Sequence, residues 1–288
     1  MSVQHIKDLF SRPCAIDERE YASVMALVAP CLKAGRPDLA DELLSREPLK
    51  ARCMSVTDDS AATEIAEAPA GSVAVLSLRG LLLVSETDAL TELLRQIESN
   101  PNIAGTVLDI DGPGGHATHV DLATAALREC RKPVATLVSG DALSGHYWLA
   151  SATDRIFVLS PLGRLGSVGA FTTYVNIYGM FAQMGVDIRD IYPDTSDLKN
   201  EAYRAVSERD DESLVKDQLA ALHEYFARSV AEGRGMEYDP GAEHLRGRVY
   251  NAAEAISIGL ADTMGTLADA VAWVHTEATL RQVNEYYS

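Results

Sequence analysis

Lysine is scarce in this chain: six occur in 288 residues, against a formal net charge of −17. No stretch gathers lysine or arginine into a stripe. A phosphate-neutralising surface is therefore excluded, and no nucleic-acid partner is expected. Four cysteines (Cys14, Cys31, Cys53 and Cys130) lack CxxC spacing, and they read as reduced thiols of a cytosolic protein. Every apolar run falls short of the ~18 residues that a membrane span requires. The opening Met-Ser-Val-Gln-His-Ile-Lys-Asp is mixed and polar, so no signal peptide is expected. A Gly-x-Ser-x-Gly elbow is missing too, because Ala142 stands two residues before Ser144; an α/β-hydrolase is a poor reading. His116 and His119 are spaced i, i+3 but have no third ligand at a sensible spacing, Asp121 being weak by itself. They read as the first turns of a helix running to about Arg131, and neither a metal nor a cofactor is expected.

What the chain does contain is a set of three small-residue turns beside short apolar runs. The first is Leu108-Asp109-Ile110-Asp111-Gly112-Pro113-Gly114-Gly115, the second Ser139-Gly140-Asp141-Ala142-Leu143-Ser144-Gly145-His146, and the third Gly163-Arg164-Leu165-Gly166-Ser167-Val168-Gly169-Ala170. Val134 to Val138 reads as a buried strand, Ser139 to Leu143 as a turn, and Gly145 to Ser151 as the start of a helix. A serine at that junction lies beside unpaired helix N–H groups, which favour negative charge. A hydroxyl becomes a nucleophile when a base takes its proton and donors receive the charge developing on the attacked carbonyl. Ser144 is the candidate nucleophile. Ser139 competes, but it precedes the bend and reads as lining the turn. Gly112, Gly114 and Gly115 lack Cβ atoms, so their backbone can approach a substrate and aim N–H groups at it. The expected oxyanion hole is the N–H of Gly114 or Gly115 together with that of Gly145.

The rest of the pattern is α/β. Ser72 to Leu78, Ile103 to Ile110, Val134 to Val138 and Ile156 to Leu159 read as strands, with helices at Glu86 to Ser99 and His116 to Arg131. Thr173 to Met184 and Val186 to Tyr192 continue the alternation, followed by helical patterns at Asp211 to Glu232 and from Leu267 to about Tyr286. Asn251 and Glu254 form a capping-box pair. Helical patterns at Asp17 to Lys33 and Pro37 to Leu49 precede a small, polar stretch at 54–70. The expected division is a helical N-terminal arm and linker at 1–70, a core at 71–275, and the end of a C-terminal helix at 276–288.

These three turns, in this order and spacing, resemble the signal peptide peptidase A family of serine proteases over about Gly71 to Val274, and within it the versions that tailed phages and prophages use for head maturation. The resemblance implies a ClpP/crotonase-type fold with mostly parallel sheets and crossover helices. It implies a Ser/Lys dyad as well. Only Lys199 and Lys216 follow Ser144. Lys199, a few residues after Val186 to Tyr192, stands where the family places its general base, whereas Lys216 falls within an amphipathic helix. A lysine acts as base only when neutral, and burial is the usual means of bringing an amine down from its ordinary pKa of about 10.4. Ser167 resembles the family's second serine, which hydrogen-bonds the lysine, and in related proteases a neighbouring subunit can supply the base. Here Asp-Gly-Pro replaces the frequent serine before proline, and His146 replaces a glycine after the nucleophile; His146 is expected to line the pocket.

The implied activity is endopeptidase cleavage of a phage capsid or scaffold protein, this chain's own N-terminal arm included, by a homo-oligomer in the host cytoplasm or the assembling head. Two other classes stay open. A crotonase-like acyl-CoA enzyme would share the fold without needing Ser144 or Lys199, and a non-catalytic assembly module would keep the turns for packing alone.

Overall fold

Ser72 to Arg79 places Val73 and Val75 on one side and Ala74, Leu76 and Leu78 on the other, and all five are buried. A strand apolar on both faces belongs inside a parallel sheet covered by helices. The computed structural model, which describes residues 14–16, 18–44, 49–54, 64–174, 179, 182–183 and 185–287, has that architecture. Its strands are β1 (Cys14–Ile16), β2 (Ala51–Met54), β3 (Ser72–Arg79), β4 (Ile103–Gly112), β5 (Gly114–His116), β6 (Val134–Leu143), β7 (Arg155–Val158), β8 (Arg164–Gly166), β9 (Val249–Asn251) and β10 (Thr263–Met264). The main sheet runs β10-β7-β6-β4-β3-β2, parallel except for β2. Strand β6 pairs with β7 through Ala135–Val138 and then with β8 through Asp141–Leu143, and β8 pairs antiparallel with β9.

The helices are α1 (Glu18–Lys33), α2 (Pro37–Leu44), α3 (Val84–Ser99), α4 (Val120–Glu129), α5 (Gly145–Ser151), α6 (Glu201–Arg209), α7 (Ser213–Gly233), α8 (Ala252–Ser257) and α9 (Leu267–Tyr287). One face of the sheet packs on Ala270, Val271 and Val274 of α9. The other packs on Leu90, Leu94 and Ile97 of α3, on Val120, Ala123 and Leu127 of α4, and on α5 and α7. Asn251 accepts the Glu254 N–H at 3.0 Å, and the Glu254 carboxylate accepts the Asn251 N–H at 3.1 Å, as the capping-box spacing predicts.

Several boundaries differ from expectation. Ser139–Leu143 is strand, not turn, because β8 offers it a partner. His116 ends strand β5, and α4 begins only after His119, whose φ of 73° is left-handed. Ala51–Met54, at the edge of the expected linker, pairs with β3. Val186 to Tyr192 is not a strand: Val186, Ile188 and Ile191 are exposed, and no ladder pairs the segment among the described residues. Pro30 lies inside α1, which runs through it to Lys33. The expected segment 173–184 lies largely outside the described residues. Cys31, Cys53 and Cys130 are free thiols. Burial raises the Cys53 thiol and pushes that of Cys130 up to about 12, so both stay protonated at neutral pH.

Candidate active site

Ser144 caps α5 at the end of β6, where the chain changes direction within one residue. Its φ of 53° and ψ of −118° are rarely adopted by a residue with a Cβ, and such strain costs on the order of 1–3 kcal/mol. Surrounding contacts hold it there. The Ser144 N–H donates to the Gly166 carbonyl at 2.8 Å, and the Ser144 carbonyl accepts from the Trp148 N–H at 2.9 Å. Trp148 stacks on Phe226 of α7 with ring centroids 4.3 Å apart, and its indole N–H donates to Ser229 Oγ at 2.7 Å. The Tyr147 hydroxyl donates to the Leu260 carbonyl at 2.8 Å. With α5 anchored on both sides, its first turn cannot relax the serine.

The Ser144 hydroxyl is buried, and its Oγ has no hydrogen-bond partner among the described residues. An unsatisfied buried hydroxyl costs about 1–3 kcal/mol. A strained backbone and an unpaired hydroxyl on one residue are both costs to folding, and such costs concentrate where a side chain is kept for chemistry.

Gly112 to Gly115 lies beside this serine. Gly112 is paired with Ala142 across a bulge in the β4–β6 ladder. Gly115 meets Leu82 so closely that an added Cβ would stand 1.8 Å from the Leu82 carbonyl oxygen, and a Cβ on Gly112 would be 2.4 Å from the His146 ring. Gly115→Ala therefore forces two backbones apart. It is expected to destabilise the protein by roughly 2–4 kcal/mol, whereas Gly169→Ala, whose nearest non-local atom would be 3.5 Å away, should be close to neutral. Thermal unfolding of the two variants side by side checks this.

His146 does not line an open pocket. It is fully buried, and its Nδ1 accepts the Gly114 N–H at 2.9 Å. One expected oxyanion donor is thus engaged by an imidazole, while Gly115 stands opposite Ala15 in the β1–β5 ladder. Gly145 is the first residue of α5, where the helix offers its N–H no acceptor four residues back.

Acidic and basic side chains frame the turns, a feature the sequence reading missed. Asp109 is buried, pairs with Arg79 and accepts from Ser139 Oγ at 2.6 Å. Ser139 is thereby occupied as a structural donor. Asp111 accepts the Asp141 N–H at 3.0 Å against Gly140, where a Cβ would lie 2.2 Å from its carboxylate. Asp141 in turn accepts from Arg164 Nε at 3.0 Å. These links tie the ends of β3, β4, β6 and β8 together. Separations of 23 to 30 residues left them invisible in the sequence.

Ser167 follows Gly166 with a left-handed φ of 54°, and its N–H donates to the Arg248 carbonyl at 2.9 Å. It lines a cavity of about 500 Å³ with Ile16, Gly169, Ala170, Phe171, His223, Arg246 and Gly247. His223 Nδ1 has no partner among the described residues, and burial lowers its pKa, favouring the neutral ring. Lys199 lies in the exposed turn before α6, and its amine has no hydrogen-bond or ion-pair partner among the described residues. Lys216 is an exposed residue of α7 paired with Glu212 at 2.8 Å, which raises its pKa and keeps it charged. Lys132 Nζ donates to the Ile97 and Asn100 carbonyls, both at 2.6 Å, and closes the end of α3. The structure therefore gathers Ser144, Gly112 to Gly115, Gly145 and His146 in one place, with Ser167 one residue beyond the acceptor of the Ser144 N–H. Among the described residues no hydrogen bond or ion pair joins the exposed Lys199 to this group.

The family model of peptidase family S49 matches residues 126–281, more than half of the chain and inclusive of Ser144, Ser167 and Lys199. The chain belongs to peptidase family S49. The glycine turn at 112–115 lies just outside the matched range. Among its relatives, capsid assembly protease C of Escherichia phage lambda is 30% identical over 246 residues, covering 80% of this chain and 55% of that protein. Head-tail preconnector protein GP5 of Enterobacteria phage P21 is 30% identical over 191 residues, or 66% and 38% of the two chains. A putative signal peptide peptidase SppA of Enterococcus faecium is 24% identical over 182 residues, or 62% and 52%. This S49 chain thus spans about half, or less, of the length of these relatives. Among the described residues no helix is long and apolar enough to cross a membrane.

Proposed function

We propose that this chain is a serine endopeptidase with a ClpP/crotonase-type fold, and that it processes phage capsid or scaffold proteins. The observation that carries the reading is Ser144, a strained and buried serine with an unpaired hydroxyl at a strand-to-helix junction, in a chain of family S49. In this reading Ser144 Oγ attacks the peptide carbonyl while its proton passes to the Lys199 amine. The carbonyl oxygen takes up the negative charge against the N–H of Gly145 and that of Gly114 or Gly115. The lysine returns the proton to the departing amine, leaving an acyl-enzyme. Water then adds to the ester with the neutral lysine as base, releasing the acid and restoring the serine.

Use of the Gly114 N–H requires that it leave His146 Nδ1, so the geometry described here is a resting one. Ser167 is proposed to orient the lysine. Lys199 is exposed within one subunit, and a second copy of the chain would have to bury it; homo-oligomerisation is part of the proposal. The phage substrates follow from the relatives named as a capsid assembly protease and a head-tail preconnector.

The test is co-expression of the wild type and of Ser144→Ala with the structural proteins encoded beside it, read by intact mass. Truncated products with the wild type alone are expected. Identical masses in both would remove the protease reading. Hydrolysis of an acyl-CoA thioester that persists in Ser144→Ala would point to the crotonase-like alternative.

A further inference from the structure

Among the described residues, the strand paired with β5 along its length is β1, and the pairing is antiparallel: Cys14 faces His116, Ala15 faces Gly115 and Ile16 faces Gly114. The other edge of β5 is already taken, since the Leu82 N–H donates to the Gly114 carbonyl at 2.8 Å and the Leu82 carbonyl accepts from the His116 N–H at 3.0 Å. An extended peptide that reached Ser144 by adding to this glycine segment would have one edge to use. That edge is filled by the chain itself.

The filling is specific but thin. Ile16 is buried with Leu81 and Leu83, which flank the Leu82 contact, and with Val28 and Ala40 of the N-terminal helices; Phe171 packs against the same cluster. Tyr21 of α1 meets Phe171 edge-on at 5.5 Å. The N-terminal arm therefore rests on both the Gly112–Gly115 side and the Ser167–Phe171 side. Its hold on the catalytic edge is a three-residue strand in a two-stranded pair, and pairings of that size are marginal without further support. The cavity of about 500 Å³ continues from Ile16 along Ser167 to Phe171 and Arg246, leaving room for a longer peptide to extend past the end of β1.

The geometry points to β1 as a built-in occupant of the substrate edge: a displaceable strap that restrains the enzyme until a peptide with an aliphatic residue in the Ile16 socket takes its place. This inference rests on the protease reading of Ser144 and the glycine turn. The full-length wild type is compared with Ile16→Asp, which expels the socket side chain, and with Ala15→Pro, which removes a backbone donor from the ladder. Two quantities are read: the rate at which a peptidyl fluorophosphonate adds to Ser144, by intact mass, and hydrogen exchange over 112–118, with 145–151 as the check that the core stays folded.

Both variants are expected to speed labelling by about tenfold or more and to raise exchange at 112–118 alone. A synthetic peptide spanning residues 12–18 should reverse both effects, and the same peptide with aspartate in place of isoleucine should not. Labelling within twofold of wild type while exchange rises would overturn the strap, as would unchanged exchange in both variants. No adduct in any variant, with exchange still raised and reversed by the peptide, would leave β1 as an occupant of a peptide-binding edge and remove Ser144 as the nucleophile.

Discussion

Replacing Ser144 by alanine is expected to lower peptide hydrolysis by at least about 10³-fold while leaving the fold as stable as before or more so. The two halves of this result have separate causes. In the proposed mechanism, loss of Oγ removes the atom that bonds to the carbonyl, and neither Gly145 nor the 112–115 turn can replace it. Stability should hold because that oxygen has no partner among the described residues, so its removal takes away an unsatisfied buried group at a cost of one small void. Ser144→Gly separates the terms further. It deletes the nucleophile and also relieves a φ of 53°, so its unfolding midpoint should rise above that of Ser144→Ala, by about 1–3 kcal/mol of stability. Calorimetry with a peptide-hydrolysis assay checks both variants. A serine kept only for packing would give the reverse pattern, with activity retained and stability lost.

Legibility of the fold in the sequence follows the range of the interactions. The apolar runs of β3, β4 and β6 and the helix Gly145–Ser151 were readable because burial on both faces and a glycine-marked strand end are local signals. The Asn251 box was readable because its partners are three residues apart. The β1–β5 pairing joins segments about a hundred residues apart through three residues with no periodicity, and nothing local marks it. Asp109 with Arg79, and Asp111 with the Asp141 N–H, are hidden for the same reason. Val186 to Tyr192 misled in the opposite sense: Val186 and Ile188 alternate with charged residues as in a half-buried strand, yet Ile191 is 93% exposed and the segment joins no sheet among the described residues. Of the candidate site, the serine at the strand-to-helix junction and the glycine turns were legible from small residues in sequence. The engagement of Gly114 by His146 was not, since it depends on a ring folding back across 32 residues.

That exposed segment bears on the second large effect, at Lys199. Within one subunit Lys199 is exposed to solvent, and a lysine serves as a base where burial favours its neutral form. Leu198 beside it is 70% exposed, and Ile191 is bare on the preceding stretch. Exposed apolar side chains next to and shortly before a lysine are what a second copy of the chain would cover, and covering them would strip water from the amine as it approached Ser144 of the other copy. On this account Lys199→Ala and Ser144→Ala each lose at least about 10³-fold of the activity. Mixing the two inactive proteins and allowing subunits to exchange should then restore about a quarter of the wild-type rate, because one junction in four joins an intact serine to an intact lysine in a heterologous interface. The mixed sample, with subunit exchange followed by native mass spectrometry, is the decisive measurement. Recovery would assign the base to the neighbouring subunit. Full exchange without recovery would confine the dyad to one chain and require the 186–200 segment to fold inward, and activity retained in Lys199→Ala would take this lysine out of the chemistry altogether.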